Sequence, residues 1–155
     1  MDTINMNVSP TMFHVYALHY YECNQAFVER HPFSPVPYFL LCRAIELELK
    51  SRHLESKSRK QVKKDYGHNL TKSYDALNPS EKILDTSEYA ELGKASRIYD
   101  VPKKGFEYCS VYDAATGFKS FPALAVIDQI ARKLLGADAK QVPPGTTPQG
   151  GAACV

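Results

Sequence analysis

Apolar residues along this 155-residue chain recur mostly at helical spacing. Ser9-Pro10 reads as a helix start, with an N-cap acceptor followed by proline where no amide is needed. Met12, Val15, Tyr16, Cys23, Ala26 and Phe27 carry the stripe onward, which predicts a helix from Pro10 to about Arg30, closed by Pro32, Pro35 and Pro37. The run from Tyr38 to Leu49 is apolar on nearly every side but too short to cross a bilayer, so 36–54 is predicted as the central, most buried helix. Glu46 with Lys50 and Glu48 with Arg52 form four-apart acid-to-base pairs on it, and the two glutamates point to different sides. A short helix is predicted at 68–77 on Leu70, Tyr74 and Leu77. Two capping boxes, Asn78 to Glu81 and Asp85 to Glu88, predict a turn at 79–84 and a helix at 86–97. Residues 106–119 fit no period and read as a short strand-like stretch or an ordered loop. Phe121, Leu124, Ile127, Ala131 and Leu135 predict a last helix over 120–135, stopped by Gly136. The fold class expected is all-α, a bundle of four or five main helices in one domain, 1–136, with a flexible Pro- and Gly-rich tail at 137–155.

Composition adds mainly exclusions. Hydrophobic residues make up 44% and charged residues 23%, which argues against wholesale disorder. No apolar run is long enough for a membrane helix, and the first ten residues lack the basic and apolar parts of a signal peptide, so a cytoplasmic location without membrane partners is expected. Cys23, Cys42, Cys109 and Cys154 are far apart, contain no Cys-x-x-Cys pair, and are expected as reduced thiols. No phosphate-loop glycine pattern is present, and no cofactor is expected.

The net charge of +2 hides an asymmetry: seven of the 19 cations and only one of the 17 acids fall between Lys50 and Lys64, leaving the rest of the chain acidic. This stretch reads as a basic connector. Arg59, Lys60, Lys63 and Lys64 could lie along a phosphate backbone, with Tyr66 and His68 stacking on bases; a solvated linker is the plainer reading. Among the histidines, His19 shares a face with Glu22 and Cys23, too loosely for a metal site, and none is expected. His31 and His53 are read as helix-end residues facing terminal carbonyls. His68, behind Gly67 at the start of a predicted helix, is singled out: it either fixes how that helix docks on the central one or faces a ligand.

The order of these motifs resembles that of HEPN (higher eukaryotes and prokaryotes nucleotide-binding) domains. Pro37 to Lys50 is similar to their apolar A-x-E-x-x-L-K helix, Gly67-His68-Asn69-Leu70 to the G-H-D-L of one prokaryotic branch, and Arg97-Ile98-Tyr99 to an Arg-x-Tyr element further on. The resemblance spans roughly residues 10–136. It implies an up-and-down helical bundle, often a homodimer, in a family that includes toxin ribonucleases, antiviral defence components and non-catalytic RNA- or nucleotide-binding modules. Asn69 stands where that branch has Asp, and the ribonuclease pattern of Arg, four to six residues, then His is absent. The leading expectation is therefore a non-catalytic or degenerate module binding RNA, nucleotide or a protein partner, in a defence or toxin–antitoxin setting. Arg59, Lys60, Lys63, Lys64 and His68 would contact phosphate, with Tyr66, Arg97 and Tyr99 beside them. The alternatives are a metal-independent ribonuclease, with His68 as acid/base and Arg97 stabilising phosphate charge, and a pure protein-interaction subunit.

Overall fold

The computed structural model describes residues 9–31, 33–100, 105–108, 113, 115–117 and 119–143. The protein is an all-α bundle, with no strand among the described residues. Four longer helices, α1 (Pro10–Ala26), α2 (Val36–His53), α5 (Thr86–Tyr99) and α6 (Leu124–Leu135), pack with two short ones, α3 (Arg59–Tyr66) and α4 (Leu70–Asp75). Short 3-10 turns lie at Pro79–Glu81, Phe106–Tyr108 and Gly136–Gln141.

α2 is the hub, touching α1, α6, α4 and α5. From Leu41 to Leu49 only Arg43 keeps substantial contact with water. Leu41, Ile45 and Leu49 are fully buried, and each contributes about 1.5–3 kcal/mol by leaving water. Because neighbours enclose α2 on several sides, its apolar residues do not form a stripe, and Glu46 and Glu48 are buried with them, 2% and 6% exposed.

The caps read from the sequence are present. The Ser9 side chain accepts from the Met12 amide, Asp85 from the Glu88 amide, and Glu88 and Glu81 return bonds to the Asp85 and Asn78 amides. Boundaries differ for local reasons. α1 stops at Ala26 because Phe27 turns extended. α4 begins at Leu70 because Asn69 is its N-cap, accepting from the Lys72 amide. α6 begins at Leu124 because the Ala123 amide donates to Glu91 Oε2 at 2.6 Å.

The largest correction concerns the basic stretch. Residues 59–66 form α3 rather than a connector: Ser58 caps it through the Gln61 amide, and Val62 and Tyr66, four apart, bury its inner face. The aperiodic aromatic stretch has a packing reason. Phe106, 2% exposed, stacks on Tyr38 at 5.0 Å, and Phe121 meets Tyr38 edge-on at 5.8 Å, closing the first turn of α2. Packing also extends past Gly136, since Ala139 is buried and Val142 rests on the core. Residues 101–104, Cys109, Cys154 and the rest of the tail, 144–155, lie outside the described residues.

Candidate functional site

Chemistry gathers around Glu46. Its carboxylate accepts from Lys50 Nζ at 2.5 Å, Arg43 at 3.1 Å and the Tyr99 hydroxyl at 2.5 Å. His68 Nδ1 lies 3.1 and 3.2 Å from its two oxygens. Burial would raise the carboxyl pKa, but the Lys50 ammonium, the Tyr99 hydroxyl and the Arg43 guanidinium outweigh it and hold Glu46 below the usual carboxylate range. Burial and the facing carboxylate push the Tyr99 phenol far up, so it stays a donor. Residues 46, 68 and 99 thus tie α2, the start of α4 and the end of α5 together.

His68 is positioned from both sides. Gly67 ends α3 with φ of 55° and ψ of −120°, a conformation that favours glycine. Asn69 then caps α4 and donates to Asp100 Oδ2, and the buried Ser96 hydroxyl accepts from the Leu70 and Thr71 amides. Tyr99 meets the imidazole edge-on at 6.0 Å. The His68 side chain remains 62% exposed, and with Nδ1 on a carboxylate its Nε2 is the nitrogen left toward solvent.

A groove of about 790 Å³ runs along this face between α2 and α3. Arg43, Lys50, Arg59, Lys60, Lys63 and His68 line it over an apolar floor that includes Leu47 and Val62, and no acid among the described residues does. Arg43 and Lys50 share Glu46, whereas Arg59, Lys60 and Lys63 form no ion pair among the described residues. A second hollow of about 400 Å³ shares Phe13, Arg43, Leu47 and Arg59 with the first and adds Tyr16, His19 and Tyr20.

The residues singled out in the sequence therefore divide. His68, Arg59, Lys60 and Lys63 come together at one groove. Lys64 is exposed on α3 but does not line it. Tyr66, 6% exposed, stacks on His53 at 4.2 Å with Lys57 over its ring, and so has no face to offer a base. Tyr99 serves Glu46 and His68. Arg97 is exposed on α5 and lines other hollows, with Asn69 and Asp100 or with Tyr108 and Asp113, rather than the groove of His68. His53 does not serve its own helix end: it is buried, and Nε2 meets the Ser73 carbonyl of α4 at 2.8 Å. His31 lies five residues beyond α1 and is exposed. No group of three metal-ligating side chains occurs among the described residues, and no helix among them is long and apolar enough to cross a membrane.

Two features were missed in the sequence. Glu46 read only as the acidic half of a four-apart pair with Lys50, and the packing of α4 and α5 on α2 shows it as a buried hub. The aromatic hollow on α1 was also missed, although Tyr16, His19 and Tyr20, three and four apart, carried a signal for one face. No family model, no curated protein and no solved structure matches this chain.

Proposed function

We propose that this chain is a non-catalytic, HEPN-like helical module that binds RNA or nucleotide through the phosphate groups. The cationic groove between α2 and α3 carries the reading: five Lys or Arg side chains and His68 face one concave surface with no lining acid among the described residues. Three of those cations have no carboxylate partner among the described residues, so a phosphate there gains charge without breaking a pair. The apolar floor keeps the aliphatic stems packed while the charged ends stay in water.

Fluorescence anisotropy with a labelled RNA tests it. Affinity is expected to fall steeply with salt and to collapse in Lys60→Glu/Lys63→Glu, while Lys64→Glu has a smaller effect. Salt-independent binding, or an unaffected double variant, would refute the reading and favour a protein-interaction subunit.

One observation supports cleavage as a second reading. Glu46 on Nδ1 and a solvent-facing Nε2 give His68 the arrangement of an oriented acid/base, with Arg43 or Arg59 replacing Arg97 as the charge stabiliser. Metal-free incubation with RNA separates the two: cleavage lost in His68→Ala would make the module an enzyme.

A further inference from the structure

We infer that the aromatic hollow on α1 is a subsite for an unpaired nucleobase, so that the ligand of the adjoining groove is a single strand; this rests on the phosphate-binding reading above. The two hollows are one surface, sharing Phe13, Arg43, Leu47 and Arg59. Along it the chemistry changes in order. Lys60, Lys63 and His68 stand at one end, Arg43 and Arg59 in the middle, and Tyr16, His19 and Tyr20 at the other.

The aromatic end offers ring surface on which one base can stack. Tyr16 and His19 lie one turn apart on α1, their centroids 6.4 Å apart and their planes at 57°, and His19 is exposed. The Arg43 guanidinium lies 5.9 Å from the centre of the Tyr20 ring, presenting a planar cation at the junction with the phosphate-binding part. Aromatic and guanidinium planes beside a cationic track are how proteins hold single strands without base-edge readout. A duplex cannot use the hollow, because its base faces are covered by their neighbours. An acidic peptide would use the cations but gains nothing from stacking faces.

The test uses the full chain with three probes: a single-stranded oligoadenylate carrying one 2-aminopurine, the same strand annealed to its complement, and inorganic tripolyphosphate. The single strand is expected to bind with quenching of 2-aminopurine, and the duplex to show no change in that fluorescence. His19→Ala, at an exposed position, and Tyr16→Leu, which keeps an apolar side chain against the core, should each weaken the single strand by about fivefold or more. Neither should alter tripolyphosphate affinity, whereas Lys60→Ala/Lys63→Ala should weaken both. Unquenched single-strand binding that ignores both α1 substitutions but follows Lys60 and Lys63 would overturn the base subsite and leave the phosphate reading standing. If neither the strand nor tripolyphosphate binds, or if polyglutamate competes equally with the strand and the α1 substitutions change nothing, both fall.

Discussion

The bond between Tyr99 and Glu46 allows a quantitative test of how the bundle is held at its centre. The Tyr99 hydroxyl donates to a carboxylate whose side chain is 3% exposed, at 2.5 Å. A hydrogen bond to a charged group is worth about 1.5–3 kcal/mol, so Tyr99→Phe should cost about 2 kcal/mol. Glu46→Gln keeps the shape and removes the charge. Breaking a fully buried pair costs about 3–5 kcal/mol. Here the loss should fall nearer 2–3, because Lys50 and Arg43, 12% and 31% exposed, can turn toward water. In the double variant the shared bond is lost only once, so its cost should be about 1–2 kcal/mol less than the sum of the singles. Urea unfolding followed by circular dichroism at neutral pH measures all four proteins, with an unchanged m-value certifying that stability alone moved. Additivity within about 0.5 kcal/mol would show that the two groups are not coupled in solution, and the account of Glu46 as the hub would fail.

Other outcomes follow from the same contacts. Ser96→Ala removes the acceptor of two amides at the start of α4 and should cost about 1–2 kcal/mol in urea unfolding; a loss below half that would mean water replaces the hydroxyl. Gly67→Ala should cost about 1–3 kcal/mol through backbone strain alone, since an added Cβ meets nothing within 4 Å and φ is 55°. For pH, His14 sits between Glu48 at 2.6 Å and Asp138 at 2.9 Å; burial opposes its charge, but the two carboxylates raise its pKa above 6.5. Its contribution is thus complete below pH 6.5 and lost as pH rises through the raised value, and His14→Gln should flatten the decline on that side. Glu46, held below 4.5, contributes above that pH and loses its contribution as pH falls through the depressed value, so Glu46→Gln should remove part of the acid-side decline in a thermal-melt series.

What the sequence could and could not reveal separates along physical lines. Caps and four-apart pairs are local, so Ser9, Asp85 and the Glu46–Lys50 and Glu48–Arg52 pairs were legible and recur in the structure. The central helix was legible because an apolar run of that length needs burial on several sides. α3 was not, because its inner face has only Val62 and Tyr66 within a run of cations, and what holds it is the tertiary stack of Tyr66 on His53. The candidate site was half legible. Gly67-His68 marks a special backbone position, but which residue faces the imidazole depends on how α2 lies against α4 and α5. Arg97 and Tyr99 are two apart on α5, about 200° around the helix, so only one can face α2, and it is Tyr99.

That choice also connects fold and groove. Glu46 compensates Arg43 and Lys50 from beneath, while Arg59, Lys60 and Lys63, on the opposite wall, have no carboxylate partner among the described residues. The wall with free charge is the one resting on two apolar residues. A phosphate held across the groove would therefore bind the short helix to the rigid α2, so ligand and α3 packing should stabilise each other. Val62→Ala then serves as a final test. Loss of the methyl groups should cost about 1–3 kcal/mol and loosen α3. Tripolyphosphate should raise the melting temperature, and affinity for it should fall in Val62→Ala although Val62 carries no charge. If Val62→Ala loses stability yet binds as tightly as the wild type, the cations do not need α3 in place, and the groove does not act as a preformed site.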